Sequence, residues 1–411
     1  MLLKISINSL NIHCFIDFLD KLINIKFTYI MKKFINESIK IILSTLILFV
    51  ILNFIITLVW PIYLKIKFKD YKPYSSEITE QLKMSEEDAL QLYIETWIDR
   101  TFLYSQFLEH VEAPIEGKFV NISEDFGRKV DNPKKCSKRF FLYGGSSTWG
   151  YNVADNQTIA AYLLSELIDN GFKDYCVYNF GGGSYFSTQE NIRFQLHLLK
   201  EKIKKNDFAI FIDGHNEGGF RKTRATDVLT EMFKPSNAKF WDMYKLTMPT
   251  FIKSLPIIQL SNRLLKRFNI DLDKNVSQAG SVKILPRDLL SVYEKNINIR
   301  SAICKIENLN CYSFLQPFAT VHGNYFTTRN GVKLKNGDSV AGAPEIGKLG
   351  ALGDRLLRKY QILKEAKGAI NISSSLDSLN ELAWCDLAHY CPNANEMIAK
   401  SIYLEIQNNL N

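Results

Sequence analysis

The sequence predicts an α/β fold: a mostly parallel sheet covered by helices on both faces, preceded by one transmembrane helix. Three observations predict it. From Lys138 onward, short apolar runs alternate with stretches of helical apolar spacing, as βαβ units require. Motifs rich in glycine, serine and asparagine fall at the carboxyl ends of those runs, where open α/β sheets bind their ligands. Upstream, Ile41 to Leu64 is uncharged throughout, long enough to cross a bilayer at ~1.5 Å per residue.

Residues 1–40 read as a cytoplasmic segment, with Met31 a possible true start because MKKFINESIKIIL resembles the opening of a signal-anchor. The apolar run 41–64 ends in Trp60, Pro61 and Tyr63, then Lys65, Lys67 and Lys69. Aromatics followed by lysines mark an interfacial anchor rather than a cleavage site. Lys32, Lys33 and Lys40 precede the run, so the positive-inside count does not orient it. Residues 65–135 read as a stalk and lead-in, with a short helix around Glu86–Arg100.

Strand candidates then follow at RFFLYGG (139–145), CVYNFGG (176–182), DFAIFIDG (207–214) and CYSFLQPF (311–318). Helices are expected at 158–170, closed by Gly171, and at 189–200, 292–307 and 393–407. Between the third and fourth strands lies an insertion of about 218–296, with 14 basic against 7 acidic residues. Its amphipathic pieces, such as FIKSLPIIQLSNRLLKRF from Phe251, predict a helical cap shaping substrate access.

The 46% hydrophobic content is ample for a packed core. The net charge of +8 comes without a zinc finger, RNP motif or basic helix, so no nucleic-acid partner is expected. Six cysteines follow the apolar segment: Cys136, Cys176, Cys304, Cys311, Cys385 and Cys391. They fit no zinc spacing, and neither metal nor cofactor is expected. Their even count predicts three disulfides in an oxidising compartment. Sequence proximity pairs Cys304 with Cys311 and Cys385 with Cys391, leaving Cys136 with Cys176. Residues 136–411 would then lie on the periplasmic side of a single-pass inner-membrane protein.

Three motifs carry the chemistry. Gly144-Gly145-Ser146-Ser147-Thr148-Trp149-Gly150 follows the first strand, and its glycines let a turn hold the Ser146 hydroxyl outward, near backbone N–H groups. Asp213-Gly214-His215-Asn216-Glu217 follows the third, where a side-chain amide can donate to a developing oxyanion. Asp386-Leu387-Ala388-His389 precedes the last helix. An Asp three residues before a His can orient the imidazole so that its other nitrogen takes a serine proton. His322 is a reserve general base. His215 faces either a pocket or solvent, and Trp149 either walls the acyl pocket or packs beneath the cap.

Together these residues resemble the SGNH (GDSL-like) hydrolase and acyltransferase superfamily. GGSSTWG is similar to its G-D-S-x-T-x-G block at Gly144, Ser146, Thr148 and Gly150, with Gly145 in the Asp slot. Gly214-His215-Asn216 matches the G-x-N block, and Asp386 with His389 matches D-x-x-H. The resemblance covers roughly 136–409. It implies a flavodoxin-like three-layer sandwich with Ser146, His389 and Asp386 as catalytic triad. It also implies an oxyanion hole from the Ser146 N–H, the Gly183/Ser184 region and Asn216. The activity implied is serine esterase or O-acyltransferase, on O-acetyl groups of an envelope polysaccharide or glycoconjugate. A lysophospholipase-like lipid esterase and a non-catalytic scaffold of an envelope-polymer assembly are the alternatives.

Overall fold

The computed structural model describes residues 31–59, 71–217, 289–319, 356–386 and 388–410, with short pieces at 255, 257–258, 261, 321–322, 325–327 and 333–335. Residues 1–30 of the expected segment 1–40, the aromatic and lysine flank 60–69 and most of the basic insertion lie outside the described residues; 31–40 belong to the helix described next. Two units separate. One contains helix α1; the other contains the described residues of 71–217 and 289–410.

Helix α1, Met31–Val59, has 29 residues and a mean hydropathy of 2.8 over its most apolar window. At 1.5 Å per residue it is about 43 Å long, enough for a bilayer core of about 30 Å. Three polar side chains of its apolar part are returned to the backbone. Thr45, Asn53 and Thr57 each donate to the carbonyl four residues back, at 2.8, 2.8 and 2.9 Å. Each such bond reduces the cost of a polar side chain in an apolar surrounding. Among the described residues this is the one helix long and apolar enough to cross a membrane.

In the second unit the lead-in comes first along the chain. Ser75 and Ser85 cap helices α2 (Ser76–Leu82) and α3 (Glu86–Ile94), their hydroxyls accepting from Ile78 and Asp88 N–H. Antiparallel hairpins β1–β2 (Phe102–Ser105, Glu109–Glu112) and β3–β4 (Ile115–Glu116, Asn121–Ile122) follow. Residues 71–135, read as stalk and lead-in, are therefore packed rather than extended over this stretch. Tyr74, Ile78, Leu82, Ala89 and Leu92 bury against Trp149, Tyr151, Leu382 and Cys385. Ile78 and Leu82 on α2, four apart, and Ala89 and Leu92 on α3, three apart, each place a buried face on their helix.

The sheet is built from β5 (Lys138–Gly144), β6 (Tyr175–Asn179), β7 (Phe208–Asp213), β8 (Asn310–Leu315) and β11 (Ile370–Asn371). Their order is β11-β8-β7-β5-β6, and every pairing is parallel. In chain order that is 2-1-3-4-5, the flavodoxin-like arrangement, whose order reverses between β5 and β7. A small hairpin, β9 (Tyr325–Thr327) with β10 (Lys333–Lys335), lies outside it. The four expected strands are present, within a few residues at each end. The fourth stops at Leu315 because Gln316-Pro317 cannot continue a central ladder. The fifth, β11, was not anticipated; two residues are too few for a pattern to register.

Side-chain alternation explains the three layers. Phe140 and Leu142 face one way, with Val177, Ile210 and Phe314, onto α5 (Ile159–Asp169) and α8 (Pro392–Ile406). Phe141, Tyr143, Ala209 and Phe211 face the other, onto α6 (Ser187–Leu199) and α7 (Leu289–Glu307). Both faces are apolar, as a sheet covered twice requires. The Thr158 hydroxyl caps α5 by accepting from Ala161 N–H at 3.2 Å.

The three disulfides pair as proximity predicts: Cys136–Cys176, Cys304–Cys311 and Cys385–Cys391, with Cα separations of 5.5, 6.1 and 4.9 Å. The first ties the lead into β5 to β6, and the second ties α7 to β8. Their sequence separations are 40, 7 and 6 residues. Loop-closure entropy then ranks them, at about 4 kcal/mol for the first and about 2 kcal/mol for each of the others. Urea unfolding of Cys136→Ala/Cys176→Ala against Cys304→Ala/Cys311→Ala is expected to show the larger loss of midpoint in the first pair.

Candidate active site

The reversal of strand order places the ends of β5 and β7 side by side, and the loops after them hold Ser146 and Asn216. At the end of β5, Gly145 caps a single helical turn, α4 (Ser146–Trp149), which Gly150 closes at φ +96°. Only glycine adopts that backbone without strain. Ser146 is thus the first helical residue, half-buried at the sheet edge. Its neighbours pin the turn: Thr148 Oγ1 donates to Ile212 O at 3.3 Å, and Ser147 Oγ donates to Ala388 O at 2.9 Å.

The second of these bonds reaches the other half of the site. Trp384 and Tyr390 pair as an antiparallel bridge, and Cys385 N–H donates to His389 O at 2.9 Å. With the Cys385–Cys391 disulfide they close a tight turn around Asp386 and His389. Two buried aromatics moor it: Tyr390 OH donates to Pro317 O at 2.8 Å and Trp384 Nε1 to His322 O at 3.0 Å.

Within that frame the three residues meet. His389 Nε2 lies 2.9 Å from Ser146 Oγ. His389 Nδ1 lies 2.8 and 2.7 Å from Asp386 Oδ1 and Oδ2. Asp386 Oδ1 also accepts from the N–H groups of Ala388 and His389, at 2.8 and 2.9 Å. Burial would raise the Asp386 carboxyl. Attraction to His389 and hydrogen bonds from His389, Ala388 N–H and Asn152 outweigh it and hold the group down at about 2. The Tyr151 ring stacks on the imidazole at 4.8 Å, and Trp97 meets it edge-on at 5.8 Å.

The oxyanion candidates fare unequally. The Ser146 N–H, at the start of α4, has no acceptor among the described residues. Asn216 Nδ2 donates one hydrogen to Tyr185 O at 2.9 Å and retains a second. A Cβ on Gly145 would stand 2.6 Å from that Nδ2. Glycine in the Asp slot is therefore what lets the amide approach the serine turn. In the Gly183/Ser184 region, the Gly183 N–H donates to Glu112 Oε1 at 2.6 Å and its carbonyl accepts from His110 Nε2 at 2.8 Å. Ser184, exposed at φ +65°, keeps its N–H without an acceptor among the described residues.

None of the remaining candidates is hydrogen-bonded to Ser146 among the described residues. His322 Nδ1 pairs with Asp377 Oδ1 at 3.0 Å, and the imidazole facing Ser146 is that of His389. His215 packs near Phe318 at 5.9 Å, and burial pushes its imidazole down to about 3. Trp149 is fully buried beneath Arg128, whose guanidinium lies 4.2 Å from its ring, so it packs rather than lines an opening. Among the described residues no group of three or more His, Cys, Asp and Glu is placed to hold a metal ion.

Sequence reading missed the groups that hold these loops. Glu217 accepts from the Ser187 N–H at 2.7 Å and its hydroxyl at 2.8 Å, tying the Asn216 turn to the start of α6. Burial, then the nearby Asp213, raises the Glu217 carboxyl to about 7. Asp213 is matched from below by Arg300 at 2.8 Å and by the Tyr293 hydroxyl. Arg300 falls on the expected helix 292–307, but nothing in its local pattern marks it as the partner of a residue 87 positions earlier. Asn152, whose Nδ2 donates to Asp386 Oδ2 at 2.7 Å, was missed for the same reason.

No family model matches the chain, and no curated protein matches it by sequence. Solved structures do. A lipase/acylhydrolase from Enterococcus faecalis has 13% identity and a TM-score of 0.32, over 67% of this chain and 97% of that one. A lipolytic G-D-S-L family protein from Veillonella parvula has 10% identity and a TM-score of 0.31, over 67% and 100%. The acetylxylan esterase Axe2 from Geobacillus stearothermophilus has 11% identity and a TM-score of 0.30, over 66% and 95%. At such scores the likeness carries no argument, and the functional reading rests on the geometry above.

The lowered Asp386 carboxyl has a measurable consequence. A depressed folded pKa contributes stability that is present above the unfolded value near 4 and lost as pH falls toward 2. The contribution is about 2 kcal/mol at neutral pH. Urea midpoints measured from pH 5 to pH 2 are expected to fall more steeply for the native chain than for Asp386→Asn.

Proposed function

We propose that this chain is a membrane-anchored serine esterase or O-acyltransferase that works through an acyl-enzyme on Ser146. One observation carries the reading: a serine hydroxyl within hydrogen-bond reach of an imidazole whose far nitrogen is held by a carboxylate, at the switch point of a parallel sheet.

In the proposed reaction His389 Nε2 takes the Ser146 proton as Oγ attacks an ester carbonyl. Asp386 fixes the tautomer, with the proton on Nδ1, and stabilises the imidazolium that forms. The N–H groups of Ser146 and Ser184 and the free hydrogen of the Asn216 amide receive the oxyanion. Collapse of the tetrahedral species breaks the C–O bond, and His389 returns its proton to the leaving alkoxide. Attack on the acyl-enzyme by water completes hydrolysis; attack by a sugar hydroxyl completes transfer.

The single anchor and three disulfides support a domain held at the membrane outside the reducing cytoplasm. There the proposed substrates are O-acetyl groups of an envelope polysaccharide or glycoconjugate. A lipid esterase is the second reading, and a specific observation favours it: Phe102, Tyr104 and Phe107 on the β1–β2 hairpin are 49, 59 and 66% exposed. That hairpin also supplies Glu112 to Gly183, next to Ser184.

Purified full-length protein in detergent, offered an activated acetyl ester, is expected to turn over and to lose at least 10³-fold in Ser146→Ala with folding retained (an order-of-magnitude figure for a missing nucleophile). Equal turnover in both proteins would end this reading. A preference for long acyl chains over acetyl would move it to lipid.

A further inference from the structure

The Asp386 carboxylate has a partner that its proposed role does not include. Asn152 lies two residues beyond the glycine that closes the serine turn, 2% exposed and at φ +67°, a backbone asparagine tolerates better than most residues. Its Nδ2 donates to Asp386 Oδ2 at 2.7 Å. Its Oδ1 accepts twice, from Trp97 Nε1 at 2.6 Å and Tyr74 OH at 3.1 Å.

This pattern admits one orientation of the amide. The indole can only donate, so it must face the oxygen. Burial, with the Asp386 charge second, pushes the Tyr74 phenol well above its ordinary value, which keeps it a donor as well. The carboxylate accepts, so it must face the nitrogen. Flipping the amide would set oxygen against carboxylate and nitrogen against the indole N–H.

Both donors come from the lead-in. Tyr74 immediately precedes the cap of α2. Trp97 stands on a π-helical turn, Glu95–Asp99. Glu95 fastens that turn by accepting the N–H groups of Lys118, Phe119 and Val120 at 2.9, 2.8 and 2.9 Å. Such turns often present a side chain that a regular helix would turn away. Behind the carboxylate lies a cavity lined by Tyr71, Tyr93, Trp97, Asn152 and Asp386. On that side Asn152 supplies a fixed hydrogen bond where water would otherwise compete for Oδ2.

From this geometry we infer that Asn152 is a positioning residue for the reaction, a fourth member of the Ser146–His389–Asp386 array whose orientation is set by Tyr74 and Trp97 of the lead-in. It acts through Asp386: one carboxylate oxygen is held by the amide while the pair faces His389 Nδ1, so the imidazole stays aimed at Ser146. The inference rests on the proposed role of Ser146.

The tests are Asn152→Gly, which keeps the left-handed backbone and removes the amide, and Asn152→Asp, which keeps the shape and sets a second carboxylate against Asp386. In full-length protein with the activated acetyl ester, Asn152→Gly is expected to lower kcat on the order of tenfold to a hundredfold, as loss of an orienting partner commonly does. KM should stay unchanged. The acid limb of the pH–rate profile, which reports protonation of the general base, should move to higher pH, because a carboxylate that has lost a donor attracts the protonated base more strongly. Asn152→Asp should lose more, and Trp97→Phe a smaller part. A packing role alone would change the urea midpoint and leave the acid limb where it is. If Ser146→Ala abolishes turnover while both Asn152 variants keep kcat within twofold and an unmoved acid limb, the inference is overturned and the serine mechanism stands. If Ser146→Ala retains turnover, it is the mechanism that fails.

Discussion

The hydrogen bond between Ser146 and His389 joins residues 243 positions apart, and most of the second unit can be understood by asking what holds its two ends. The serine end is set by the sheet. Parallel β5 must end where β7 ends for Thr148 to reach Ile212, and that register is fixed by two apolar faces that a slip of one residue would invert. The imidazole end belongs to no strand or helix. It is held by a short disulfide-bracketed turn, and two buried aromatics fix that turn to residues 317 and 322 beyond β8. Ser147 closes the circuit by bonding to Ala388. Displacement of either end by 1 Å would carry the nitrogen beyond useful proton-transfer distance.

Much of the architecture was legible in the sequence because its signals are local. Runs such as FFLY and FAIFI are apolar on both faces, and the glycines and serines that follow them need no distant partner to be recognised. The pairings of nearby cysteines follow from the same locality. What escaped was set across the fold. β11 is two residues long and is a strand only because β8 offers an edge. Gly183 looked suitable as a donor until Glu112, 71 positions earlier, was found to take its N–H. Asn152 and Arg300 carry no motif, and Glu217 ends one without a role it could show, since each is defined by a partner that only folding brings close.

The lead-in is the part of the chain whose meaning changed most. Its apolar stripe packs against the floor of the serine turn, its hairpin grips the backbone at Gly183 from both sides, and its aromatics reach the far side of Asp386. A residue count would make it a spacer between anchor and sheet. Its contacts make it one wall of the site.

The order of residues along the chain also has a consequence in time. A ribosome adding 5–20 residues per second would need roughly 10–50 s to travel from Ser146 to His389. During that interval the apolar helix and Ser146 have been made, but His389 and Asp386 have not. Ser146 meets His389 only when the 385–391 turn has been made and folded. On the proposed mechanism the late position of that turn would act as a built-in delay, leaving Ser146 without its base until the surrounding protein exists.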